Sequence, residues 1–204
     1  MGLPTDLQAY QEYYQSKEKD SLLGWKNKEA QTIRFEQLTK VINLSEHFSV
    51  NDLGCGWGHF ADFLESQRLD YAYVGCDILP EMITKAQTRH ESNNRCRFEA
   101  VGHASQMPIA DYVVASGIFN LRFDVSDKEW QQFIIETIDS MHQKSRKGFA
   151  FNALTSYSDA ERMESQLFYA DPCQLFDYCK RNCSKNVALL HDYFQYDFTI
   201  LVRK

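Results

Sequence analysis

Apolar residues change rhythm several times along this chain. Phe48-Ser49-Val50-Asn51-Asp52-Leu53 and Tyr71-Ala72-Tyr73-Val74-Gly75-Cys76 are short segments, rich in aromatic and β-branched residues, and read as strands. Arg95–Ala100, Asp111–Ser116 and Gly148–Leu154 repeat that signal, and Val187–His191 and Phe198–Val202 close the chain with two more. Between them the spacing lengthens to a helical period. Helices are expected over 58–68, from Pro80 to about residue 90, over 127–143 and from Pro172 to about residue 183. Pro80 and Pro172 stand where a first helical turn tolerates proline, and Asp127 and Glu129 place acid at a helix start, where the helix dipole favours it. Ahead of the first strand, residues 5–20 are polar and tyrosine-rich and read as a helix. Residues 27–42 carry Ile33, Leu38, Val41 and Ile42 at helical spacing and read as another, after a break at Leu22-Leu23-Gly24-Trp25.

Strands separated by helices imply parallel βαβ units, and nearly continuous apolar strands suit a sheet covered on both faces. Only Asp192–Asp197 separates the last two strands, too little for a crossover helix, so they should pair antiparallel. The expectation is an α/β fold: a doubly wound, mostly parallel seven-stranded sheet with an antiparallel terminal strand, over 46–204, behind an N-terminal helical cap over 1–45.

The stretch Asp52-Leu53-Gly54-Cys55-Gly56-Trp57-Gly58 joins the first strand to a helix. Glycines there let the backbone turn sharply and approach a ligand, and the helix start points unpaired N–H groups into the crevice. Asp77 ends the second strand about 20 residues on, where an acid binds ribose hydroxyls. Together these features indicate a nucleoside-containing cofactor. A nicotinamide-dependent oxidoreductase is one alternative, but Gly-x-Gly-x-x-Gly would need glycine where His59 stands.

The alternating glycines after Asp52 resemble the first motif of the class I S-adenosylmethionine (SAM)-dependent methyltransferases. Val74-Gly75-Cys76-Asp77-Ile78-Leu79-Pro80-Glu81-Met82 is similar to that family's second motif, and Phe98-Glu99-Ala100-Val101-Gly102-His103-Ala104 to its third. The resemblance runs from about residue 48 to the end. It implies an enzyme that transfers a methyl group from SAM, leaving S-adenosylhomocysteine (SAH). It places Gly54, Gly56 and Gly58 under the methionine and ribose, and Asp52 near the amino group, directly or through water. It sets Asp77 on the ribose hydroxyls, with Ile78 and Met82 against the adenine. His103 stands where many relatives carry an acid facing the adenine amino group; a ring nitrogen or a backbone carbonyl replaces that contact. A non-catalytic SAM-binding module is a further alternative.

In an open α/β sheet the ligand crevice lies beyond the strand carboxyl ends. Ser116, Gly117, Ile118, Phe119, Asn120 and Arg122 after the fourth strand should flank the methyl group, and Asn152 and Tyr157 should face it from the fifth. The leader supplies a candidate lid over the acceptor, separate from the cofactor site, in Tyr10, Tyr13, Tyr14, Trp25, Arg34 and Phe35. Tyr169, before Pro172, supplies a second wall. Such a pocket suits a small organic acceptor, with Arg34 or Arg122 to pair a carboxylate or phosphate. Asn120, Tyr14 and His191 are the candidate catalytic groups. Several of the crevice residues have a plainer reading: Phe119 as packing, Asn120 as a turn residue, Arg122 as a solvated charge, His191 as a structural histidine.

The net charge of -6, with only isolated basic pairs such as Arg146-Lys147 and Lys180-Arg181, argues against nucleic acid. So does Ser116-Gly117-Ile118-Phe119, which replaces the Asp-Pro-Pro-Tyr-like signature of nucleic-acid amino-methyltransferases. No apolar run of about 20 residues spans a membrane. Six cysteines without a secretory signal read as reduced thiols of a cytoplasmic protein. Cys173, Cys179 and Cys183 lack a Cys-x-x-Cys partner, so no metal site is expected.

Overall fold

The computed structural model describes residues 4, 7–17 and 27–204; Trp25 and the predicted break around it lie outside these residues. The helices are α1 (Leu7–Ser16), α2 (Lys28–Thr39), α3 (His59–Ser66), α4 (Pro80–Arg89), α5 (Asp127–Lys144) and α6 (Pro172–Asn182). The strands are β1 (Phe48–Leu53), β2 (Tyr71–Asp77), β3 (Cys96–Ala100), β4 (Ala110–Ala115), β5 (Ser145–Leu154), β6 (Asn186–Leu190) and β7 (Asp197–Arg203). They form one sheet in the order β3-β2-β1-β4-β5-β7-β6. The first five pair in parallel, and β7 runs antiparallel to both β5 and β6. The last strand in the chain is therefore not the sheet's edge. The α6 crossover sets β6 one place away from β5, and the short connection folds β7 back into the gap.

Alternation along the strands divides the core between two faces. Val113, Ala115, Phe149 and Phe151 point to one, against Trp130, Ile134 and Ile138 of α5 and Leu175 and Cys179 of α6. Tyr112, Val114, Ala150 and Leu201 point to the other, against Phe35 and Leu38 of α2, Phe60 and Leu64 of α3 and Ile83 of α4. Two covered faces make the sheet doubly wound. α2 thus packs as a layer helix of the sheet, while α1 joins the opposite core through Tyr10. The helix starts follow from local chemistry: the side chains of Asn27, Ser126 and Asp171 accept from Ala30 N, Glu129 N and Cys173 N.

Trp130 links this core to the loop after β4. It is fully buried, and its indole N–H donates to the Phe119 carbonyl at 2.8 Å. Trp130→Phe keeps most of the apolar volume but leaves that carbonyl unpaired, which costs about 1–2 kcal/mol. Urea unfolding should show a lower midpoint with an unchanged slope.

Candidate active site

The sheet order reverses between β1 and β4, the place where open α/β sheets bind ligands. A cavity of about 530 Å³ opens there, lined by the β1, β2 and β4 ends and by α1 and α2. The glycine loop shapes its floor. Gly54 has φ +75°, and a Cβ there would sit 2.2 Å from Ile118 Cγ2, so only glycine lets the two loops meet. Gly54 N and Cys55 N donate to the Cys76 carbonyl at 2.7 and 3.1 Å, tying the loop to the end of β2.

Asp77 stands at that end, buried. Its Oδ2 accepts from Gly56 N at 2.9 Å and its Oδ1 from Leu79 N at 3.0 Å. Burial pushes its carboxyl above the usual range, while the bonds from Leu79, Gly56 and Ile78 pull the other way. Each oxygen keeps a lone pair for a further donor. Asp52, also buried, accepts from the Tyr73 hydroxyl at 2.7 Å. Burial pushes its carboxyl up to about 7; the Tyr73 bond lowers it and the Asp77 charge raises it. Ile78, Leu79, Met82, Val101 and Ala104 form an apolar slot beside Asp77. His103 lines its rim, with Nδ1 accepting from Ser105 N at 3.0 Å, so the ring caps the turn over 104–106.

Ser116, Gly117, Ile118, Asn120 and Leu121 carry the wall past β4. Asn120 is a joint in it: its Oδ1 accepts from Leu154 N at 3.0 Å and its carbonyl from Phe168 N at 2.7 Å. Leu121 pairs with Leu167, which brings Glu164, Gln166 and Leu167 to the cavity. Over this platform lies α1. The Tyr10 hydroxyl donates to the Leu121 carbonyl, and its ring meets Phe123 edge-on at 5.1 Å. Tyr13 and Tyr14 line the cavity beside it. Burial and then Glu164 oppose ionisation of Tyr13, whereas burial and then Asp77 oppose that of Tyr14. Tyr13 and Tyr14 thus share the cavity with Glu164 and Asp77, and their rings meet edge-on at 5.2 Å.

Among the residues singled out in the sequence, the cavity wall gathers Asp52, Gly54, Gly56, Asp77, Ile78, Met82, His103, Ser116, Asn120, Tyr10, Tyr14 and Arg34. Gly58 stands just outside, at φ +79°, with its carbonyl facing His90 Nε2 at 3.1 Å. Phe119 is a core residue rather than an acceptor wall: it is fully buried, with Phe151 and Phe133 rings 5.4 and 6.4 Å away. Asn152 is buried behind the wall and braces it, accepting from Gly117 N at 2.8 Å and donating to Ser116 Oγ at 3.1 Å. Tyr157, 71% exposed, and His191 meet each other at 6.0 Å away from the cavity. Arg122 turns onto the Val125 carbonyl at 2.6 Å and, with Tyr169, lines a separate cleft. Arg34 is held by Asp197 and by the Ala30 carbonyl. Gln31, Phe60, Phe133, Thr137 and Leu154 join the wall without any motif to announce them.

A sequence profile described as a methyltransferase domain matches residues 50–144. The Mycobacterium tuberculosis protein "Putative methyltransferase Rv1506c" is 50% identical over 165 residues, covering 81% of this chain and 98% of that protein. The chain belongs to the class I SAM-dependent methyltransferases. Its fold is similar to that of the magnesium protoporphyrin IX methyltransferase of Synechocystis PCC 6803 with bound SAH: TM-score 0.66, 16% identity, 98% of this chain and 100% of that one. The N-methyltransferase NodS of Bradyrhizobium japonicum, in complex with SAH, gives a TM-score of 0.64 at 16% identity, covering 94% and 98%. The methyltransferase's own residues fit the cofactor. The cavity volume lies within the usual ligand range of about 300–1,000 Å³. Asp77 offers acceptors for a ribose, and the slot around Met82 suits a purine face.

Proposed function

We propose that this methyltransferase acts on a small organic molecule held between α1, the loop after β4 and the segment 164–167. The observation that carries this reading is the extent of the cavity. Besides the apolar residues beside Asp77, its wall includes Tyr10, Tyr13, Leu121, Leu154 and Leu167, with Glu164 and Gln166. A mostly apolar enclosure with few polar groups suits a small ligand. SAM supplies a methyl group already activated on a sulfonium, so the chain need only bind, orient and exclude water. Asp77 would hold the ribose hydroxyls, Gly54 and Gly56 the methionine and ribose, Ile78 and Met82 the adenine, and Asp52 the cationic end. Ser116 and Asn120 would flank the transfer. Net charge of -6 supports a small acceptor over nucleic acid. Six free thiols suit a reducing, cytoplasmic setting. No helix among the described residues is long and apolar enough to cross a membrane.

The test is transfer from methyl-labelled SAM into a cell extract separated into small-molecule, nucleic-acid and protein fractions. Label in the small-molecule fraction supports the reading. Label confined to nucleic acid or protein overturns it, and binding of SAM with no transfer in any fraction favours a non-catalytic module.

Asp52 gives this reading a pH signature. An unfolded aspartate titrates near 3.8, and the folded one near 7. Between those values the folded chain holds a proton the unfolded chain has lost, so this group lowers stability as pH rises from about 4 to about 7. A cation brought beside Asp52 pulls its value down. Calorimetry at pH 7 in two buffers of different ionisation enthalpy should therefore show net release of protons on SAM binding. Asp52→Asn should abolish the release. A buffer-independent enthalpy for the native chain removes Asp52 from the cationic end.

A further inference from the structure

Asp197 carries no recognisable motif. It opens β7 opposite Leu154 of β5, whose side chain lines the cavity. It is 1% exposed, and its Oδ2 accepts from Arg34 Nε. Arg34 Nη1 donates to the Ala30 carbonyl at 2.7 Å, one turn back in α2. The guanidinium is thus clamped from two directions, by its own helix and by the start of the last strand. Behind the pair, the Tyr193 hydroxyl and Thr199 Oγ1 bond each other at 2.9 Å, both buried. Swapping a buried ion pair for apolar residues is often neutral or stabilising, so packing gives this pair no reason to be charged. Its position supplies one, because Arg34 stands in the cavity wall with Gln31 and Phe35.

The side of the cavity is set by packing. Phe35 meets Phe60 of α3 at 5.2 Å, so this wall adjoins the helix that follows the glycine loop. Ile78 and Met82 belong instead to the slot beside Asp77, the nucleoside end. α2 therefore borders the amino-acid end of the cofactor.

We propose that Asp197 is a positioning residue that holds the Arg34 guanidinium at the amino-acid end of the cofactor site, where its charge meets the cofactor's carboxylate. The proposal rests on the cofactor arrangement given above. A planar guanidinium recognises a carboxylate well only when its orientation is fixed. Asp197 supplies that orientation from a strand that does not line the cavity.

The experiment compares two ligands on one protein sample: SAH, and 5′-methylthioadenosine, which shares the nucleoside and lacks the amino-acid end. In Asp197→Asn the dissociation constant for SAH should rise at least about tenfold, while that for 5′-methylthioadenosine stays within about twofold. Arg34→Ala should show the same split, and the double variant should be no worse than the worse single one, because the two residues act as a unit. Equal weakening of both ligands, or unchanged SAH binding, overturns the proposal. If Asp197→Asn does not fold, Arg34→Lys decides: it keeps the charge beside Asp197 but loses the planar fork, and the same split is required of it. Native protein that binds neither ligand would sink the cofactor arrangement itself, a result distinct from the loss of the split.

Discussion

Asp77→Ala should raise the dissociation constant for SAM by one to two orders of magnitude, or about 1–3 kcal/mol, while the chain stays folded. The estimate follows from two roles of one carboxylate. Outward, it would accept from two ribose hydroxyls through charge-assisted bonds. Inward, it accepts from Gly56 N and Leu79 N, holding the glycine loop at the end of β2. Alanine removes both. Asp77→Asn keeps an acceptor oxygen for one role at a time and should fall between the two. Folding should not suffer in proportion. The carboxyl is raised by burial, so the ionised group is itself a cost to the fold at neutral pH. Calorimetry with SAH, paired with a melting curve of the free protein, separates these effects. An unchanged dissociation constant for Asp77→Ala would remove the residue from the site.

That Asp77's place in the cavity wall was legible from sequence, and the Asp197–Arg34 pair beside it was not, has a physical cause. The glycine loop, the strand before it and the acid after β2 lie within one βαβ unit, so their geometry is set by local rules: left-handed glycines, a helix start, a strand end. The parallel pairing of the first five strands follows from similar rules, since helices separate them. The antiparallel pairing of β6 and β7 was also legible, from their short connection, although the insertion of β7 between β5 and β6 required the α6 crossover to be seen in three dimensions. The acceptor side is different. Glu164 and Leu167 reach the cavity only because Leu121 pairs with Leu167 across more than forty residues, and no periodicity marks them. Phe119 follows β4 and Asn152 lies late in β5, where an acceptor wall is expected, yet both turn inward, one into the aromatic core and the other onto Gly117 N. Position beyond a strand end places a residue at the crevice but does not decide which way its side chain points.

Deleting residues 1–20 should abolish most methyl transfer, at least about a hundredfold, and should also weaken SAM binding beyond about tenfold. From sequence alone, α1 reads as a lid over the acceptor, outside the cofactor site. The structure extends its reach. Tyr14 lines the same cavity as Asp77, whose charge opposes its ionisation, so α1 would roof a ribose held by Asp77 as well. Tyr13 lines the cavity with Glu164, and Tyr10 latches the helix to Leu121 and Phe123. The truncated chain should still fold, because the two faces of the sheet are covered by α2 to α6 and α1 buries only Tyr10 fully. Losing that one ring costs about 1.5–3 kcal/mol of burial. Single substitutions divide the two functions of the helix. Tyr14→Ala should raise the dissociation constant for SAM more than it raises KM for the acceptor, and Tyr13→Ala should do the reverse. Circular dichroism, SAM titration and turnover on the truncated chain test the whole arrangement. Folded protein that binds SAM and turns over like the full chain would show that α1 closes neither end. A chain that unfolds would show that Tyr10 and its partners hold the core together rather than cover the site.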